Sequence, residues 1–163
     1  MDTSRNVVKR HQFADYLNTQ TADKPNYCLM GVGFTSLNEE PGAQTESKSV
    51  TGYETVFPFE SDLIPEQEPI LALYNVGRNH CTGSEAEFEY VRVELWEPVS
   101  GKENEFSARK FIVSAEISEV SGDTDIQVSG NLNAVGDPID GTFNTQTKTF
   151  TAATESAGAG TGV

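Results

Sequence analysis

Between Ile126 and Ala134 the chain alternates without a break. Ile126, Val128, Gly130, Leu132 and Ala134 fall on one side, and Gln127, Ser129, Asn131 and Asn133 on the other. Only an extended backbone, whose side chains repeat every two residues, turns this pattern into one apolar face, so the segment is a half-buried strand. The same period returns in Phe111, Val113, Ala115 and Ile117, and in Tyr53, Thr55, Phe57 and Phe59, where Pro58 predicts an edge or a bulge. A chain of 163 residues with 14 Gly and heavy use of Thr, Val and Phe therefore reads as one β-rich domain with many turns and its own core.

Other segments fill in around these strands. The apolar run from Tyr27 to Phe34 predicts a strand covered on both faces, with Gly31 and Gly33 permitting close backbone approach. Pro69, Ile70, Leu71, Leu73 and Tyr74 have helical spacing, and Gly77 stands where a left-handed cap belongs, which predicts a single helix over 67–76. In Phe88, Tyr90, Val91, Val93 and Leu95 the apolar phase changes within one strand, the mark of a bulge or of different surroundings at its two ends. Turns are expected at 78–84, 98–105, 122–125 and 136–138, and Phe143 and Phe150 bracket a polar hairpin. Residues 1–24 read as an N-terminal arm or short helix that needs a partner surface, residues 25–151 as the β domain, and residues 152–163 as a flexible Gly/Ala/Ser/Thr tail.

Eleven basic against 25 acidic residues give a charge of −14, which disfavours tight binding to phosphate backbones or anionic membranes. The first ten residues lack an apolar leader core, and no window reaches the length of a membrane span, so the expectation is a cytosolic protein. In that setting Cys28 and Cys81 are expected as free, half-buried thiols.

No segment assembles a catalytic constellation. His80-Cys81 has no third group to hold a base, and reads as a turn residue beside a small core thiol. Together with Cys28 and His11 it lacks the paired spacing of a zinc site, and Asp123-Thr124-Asp125 lacks the later Gly and Glu of a calcium loop. Gly31-Val32-Gly33 is followed by Ser36 rather than a third glycine and a helix, so strand glycines explain it better than a dinucleotide site. Glu85, Glu87 and Glu89 alternate as a solvated acidic strand face. The expectation is no enzyme, no catalytic residue, no metal and no cofactor. What stands out instead is the Ser/Glu/Thr/Gln-rich stretch from Thr35 to Thr51, too long for an ordinary hairpin turn, and such stretches carry function or order on contact.

The second half carries a recognisable order of motifs. Phe88-Glu89-Tyr90-Val91-Arg92-Val93-Glu94-Leu95-Trp96 is followed by Phe106 to Ile117, the Ser121-Gly122-Asp123 turn, Ile126 to Gly136, Gly141-Thr142-Phe143 and Thr149-Phe150. With the strand at Gly31 to Leu37, the long loop and the helix from Pro69 to Val76, the chain over residues 26–151 resembles the major tail tube proteins of tailed bacteriophages, siphophages in particular. The resemblance implies a mainly β fold of two roughly orthogonal antiparallel sheets, a sandwich or small barrel, with one flanking α-helix. It also implies self-assembly into hexameric rings that stack into the virion's tail tube in the host cytoplasm, and a tube that conducts the genome at ejection.

Partners would be the subunit itself, the tape-measure protein, the tail-terminator and tail-tip proteins, and phage DNA passing through the lumen without tight binding. No membrane is expected among them. An acidic lumen would let that DNA slide. The inter-ring contact would fall to Thr35, Ser36, Leu37, Asn38, Glu39, Glu40, Pro41, Gly42, Ala43 and Gln44. A carbohydrate- or protein-binding β-sandwich of a virion or adhesion apparatus, with its ligand site on the same loop, is the alternative reading of the residues.

Overall fold

The computed structural model describes residues 7–21 and 23–153. In chain order the strands are β1 (Phe13–Asn18), β2 (Tyr27–Leu29), β3 (Phe34–Leu37), β4 (Ala43–Glu46), β5 (Ser49–Tyr53) and β6 (Val56–Asp62). The helix α1 (Glu68–Arg78) follows, then β7 (Glu87–Pro98), β8 (Glu105–Ser121), β9 (Gln127–Ala134), β10 (Ile139–Asn144) and β11 (Thr149–Ala152). Nine strands form one curled antiparallel sheet in the order β2-β1-β7-β8-β9-β6-β3, with β10 added to β8 and β11 to β10. β4 and β5 form a separate two-stranded sheet. The fold is mainly β and sandwich-like, with α1 packed on it.

β8 sets this architecture. Its first half, Glu105 to Lys110, pairs with β10, while Val113 to Ser121 pair with β9 along the same edge. The sheet forks there, and side chains on both of its faces are enclosed. One core holds Leu17, Phe57, Tyr90, Phe111, Val113 and Leu132, covered by Leu73 and Val76 of the helix. The other, across the sheet, holds Tyr16, Tyr27, Val91, Val93, Ala108 and Phe143. The phase change in β7 follows from this: Tyr90 points into one core and Val91 and Val93 into the other, and all three are fully buried. Each core is centred on paired aromatic rings. Between ring centroids, Phe57 lies 4.7 Å from Tyr90 and 4.9 Å from Phe111, and Phe143 lies 4.5 Å from Tyr16 and 5.7 Å from Tyr27. Such pairs add about 0.5–1.5 kcal/mol each to the burial of their rings.

Several expectations are corrected. The segment read as an arm enters the body: Phe13 to Leu17 pair with Glu94 to Tyr90 of β7, because Tyr16 and Leu17 each have a core to fill. Residues 1–6 of that arm lie outside the described residues. The apolar run from Tyr27 to Phe34 is two short strands joined by a turn rather than one strand. Gly33 makes the reversal at φ 94°, where an added Cβ would stand 2.7 Å from the Ile70 Cδ1.

Pro58 is not on an edge, since β6 pairs with both β3 and β9. Its missing N–H faces the thinning end of the β3 ladder, where its carbonyl accepts from Asn38 N at 3.0 Å. Gly77 lies inside α1 rather than capping it, since its missing side chain lets the helix approach Ile117 of β8. The left-handed residue is His80, at φ 53°, flanked by bonds from His80 N to Gly77 O and from Cys81 N to Val76 O. At the other end Ala152 closes β11, and residues 154–163 of the expected tail lie outside the described residues.

Candidate assembly surface

The stretch singled out from Thr35 to Gln44 is divided between the body and a projection. Thr35, Ser36 and Leu37 belong to β3: Leu37 is in the core, Ser36 stands opposite Glu60, and the Thr35 hydroxyl donates to Glu60 O at 3.2 Å. Asn38 bonds Pro58, and Glu40 exchanges both backbone bonds with Val56. After Pro41 and Gly42, the latter at φ 64°, Ala43 and Gln44 open β4. The long loop is thus a β-hairpin. Ser47 and Lys48, at φ 52° and 72°, form its two-residue turn, the doubly left-handed geometry that matches the twist of paired strands. Every residue of β4 is exposed, as is all of β5 except half-buried Gly52.

Glu39, at the hairpin's root, is tied to the body by a chain of charges. Arg109 of β8 donates to both of its carboxylate oxygens, at 2.9 and 2.8 Å. Arg92 of β7 places its Nε 3.7 Å from the same carboxylate and its Nη1 3.8 Å from Asp15 of β1. Asp15 also accepts from the Tyr90 hydroxyl at 2.7 Å and from Arg10 at 2.9 Å. The Arg92 guanidinium lies 4.7 Å from the Phe13 ring centre and 5.9 Å from that of Phe57, so its faces are closed by aromatic rings.

Electrostatics follow this layout. Burial pushes the Glu39 carboxyl up, but the Arg109 fork and the charges of Arg109 and Arg92 outweigh it and hold the group below its usual range. Bonding to Glu39 raises Arg109. Burial, then the Asp15 charge, raises the Tyr90 hydroxyl well above its ordinary value.

Beside the root, Glu39, Pro41, Tyr53, Thr55, Arg109, Phe111 and Pro138 line a cleft of about 320 Å³. The sequence gives one clue to the network, a lone arginine between Val91 and Val93. Its partners Asp15 and Glu39 are set by pairings that no local pattern reveals.

The remaining candidates stay apart. His80 and Cys81 sit at the helix end, with Cys81 packed against the first core, and the His11 side chain lies outside the described residues. Cys28 and Cys81 are free and half-buried. The Cys28 thiol, pushed up by burial, is grouped with Thr19, Asn26 and Glu68. Asp123 to Asp125 form the turn between β8 and β9.

The acidic strand face is corrected at two positions. Glu87 is exposed and Glu85 lies in a short 3-10 turn, but Glu89 turns inward. It accepts from the Tyr27 hydroxyl at 2.7 Å and from Asn18 at 3.4 Å, and lies 3.9 Å from Lys110. Burial and this bond to Glu89 raise the Tyr27 hydroxyl. Among the described residues no group of three His, Cys, Asp or Glu converges as a metal site, and no helix is long and apolar enough to cross a membrane. No protein-family model matches the chain, and neither does any curated protein.

Proposed function

We propose that this chain is a structural subunit that assembles with copies of itself, as a major tail tube protein of tailed bacteriophages does, through rings that stack into a tube. One observation carries the reading: a hairpin with no core of its own projects from a sheet body to which half-buried ion pairs of Glu39 with Arg109 and Arg92 fix its root. An isolated two-stranded hairpin is marginal in water, so a rigidly rooted one is built to meet another surface. The sheet supports the same reading. Among the described residues it ends at β2, β3 and β11, whose outer edges pair with no further strand, and joining such edges between copies removes an aggregation hazard. A head-to-tail contact that closes by rotation gives a ring, and hexameric closure is what the tail-tube resemblance implies. In that assembly the two sheet regions that β8 joins would be the two roughly orthogonal sheets of the tail-tube fold.

Negative-stain electron microscopy across a concentration series, beside a deletion variant in which hairpin residues 44–52 are replaced by two glycines between the paired Ala43 and Tyr53, tests the proposal. Hollow tubes with a regular ring repeat are expected from the full chain and not from the deletion variant. Monodisperse globules at every concentration would refute self-assembly and favour a binding module with its site at the hairpin root.

A further inference from the structure

The hairpin has two unlike faces. Residues directly opposite one another in a ladder share a face. Ala43 faces Tyr53 and Thr45 faces Val50 on one side, while Gln44 faces Gly52 and Glu46 faces Ser49 on the other. Val50 and Tyr53 are three residues apart, a spacing that a regular strand would send to opposite sides. The register shift between Gln44 and Thr45 leaves Thr51 without an opposite residue and brings the two together. The product is a face of Ala43, Thr45, Val50 and Tyr53 with no charged residue, in a chain that has 25 acidic ones. Val50 is 53% and Tyr53 60% exposed. At its base the face meets the root cleft, which Tyr53 lines with Pro41, Phe111 and Pro138 beside the paired Glu39 and Arg109 and, at the rim, Asp137.

We infer that the face made by Ala43, Thr45, Val50 and Tyr53 docks on a second copy of this chain, with Tyr53 as its anchor. The inference rests on the self-assembly reading and adds which side of the hairpin is buried. Charge selects the occupant. Two copies at −14 repel wherever their carboxylates meet, and a carboxylate buried without a partner is costly. The uncharged face lets two such copies touch, whereas the opposite face carries Glu46 and stays in water. Aromatic side chains that combine an apolar ring with a polar tip are enriched among the residues that dominate interfaces, and Tyr53 is the aromatic residue of this hairpin.

Two double variants test the face. Val50→Asp with Tyr53→Ser alters the docking side, and Gln44→Glu with Ser49→Glu adds more charge to the other side. All four positions are exposed and outside both cores, so both variants keep the folded body, and Trp96 fluorescence melting checks this. The critical concentration for assembly is read by pelleting and light scattering. The docking-side variant is expected to raise it about tenfold or more, the effect of losing one buried apolar side chain, and the other variant by less than about twofold. Assembly by the full chain that ignores the docking-side substitutions, or suffers more from the other pair, overturns this inference alone. A full chain that stays monomeric at every concentration overturns the self-assembly reading as well.

Discussion

Replacing Asp15 with alanine should cost far more than its distance from any exposed surface feature suggests. The Asp15 side chain is 1% exposed, and that of Arg92, its partner at 3.8 Å, is 6% exposed. Without the carboxylate, the buried guanidinium keeps its bond to the Tyr90 oxygen at 3.3 Å but has only the Glu39 carboxylate, at 3.7 Å, as a counter-charge among the described residues, and the Tyr90 hydroxyl loses its acceptor. Removing one partner of a buried pair costs about 3–5 kcal/mol, because the other charge is stranded. Glu39 compensates in part, so the expected loss is near the lower end, about 3 kcal/mol. For a domain of this size that lowers Tm by about 6–12 °C.

Urea unfolding followed by Trp96, whose ring lies 6.3 Å from that of Phe13 beside the network, measures it. Arg10→Ala is the control: Arg10 bonds the same carboxylate, but its side chain is 53% exposed, and a pair so screened is worth no more than about 0.5 kcal/mol. The double variant Asp15→Leu with Arg92→Met should recover much of the loss, since it leaves no charge stranded between them. A loss below about 1 kcal/mol for Asp15→Ala, or an equal loss for Arg10→Ala, would refute the stranded-charge account.

Glu39 predicts a pH dependence. Its folded pKa lies below the unfolded value, so its stabilisation is present above the usual carboxylate range, near ~4.3, and is lost as pH falls through the lower folded value. Melting from pH 7 to pH 3 should show wild type more stable than Glu39→Gln at neutral pH and the gap closing in acid; a constant gap would contradict the sign. Gly77→Ala tests helix docking. Alanine favours a helix over glycine by about 1 kcal/mol, but its Cβ would stand 2.9 Å from the Ile117 Cβ, and overpacking costs about 1–3 kcal/mol. A lower urea midpoint is expected, and a higher one would mean that α1 is free to shift.

Where one face of a strand is buried and the other wet, period two suffices to read it. Phe111 to Ile117 and Gln127 to Ala134 are such places and lie in strands of the main sheet, whereas Ile126, expected on the same apolar face, precedes β9 and is exposed. The pattern fails where both faces have work to do. In β1, Asp15, Tyr16, Leu17 and Asn18 are all buried, so the strand shows no alternation and reads as a polar arm. Local chemistry misleads at the turns as well. Ser47-Lys48 lacks the glycine or asparagine that announces a doubly left-handed turn, so the hairpin reads as a loop, and His80 takes the conformation that Gly77 was expected to supply. The candidate segment stands out by its composition, but Glu39 matters within it because Arg109, seventy residues away, reaches it across the sheet.

The same network bears on how a strongly acidic chain can meet its own copies. Of five arginines, Arg5, Arg10, Arg78, Arg92 and Arg109, three gather around Asp15 and Glu39. Arg10 reaches Asp15 from the exposed side, and the enclosed part of the cluster is two positive charges, Arg92 and Arg109, against two negative ones, Asp15 and Glu39, so it leaves the −14 of the chain on the exterior. That arrangement stiffens the hairpin's root, and the acidic exterior narrows productive contacts to surfaces without charge. On the proposed reading, the bulge at Thr51 is what makes such a surface, because without it an apolar residue would be wasted on the side that carries Glu46. Rigid rooting and an uncharged face are thus two halves of one device: the first fixes where the hairpin points, and the second decides what it can touch.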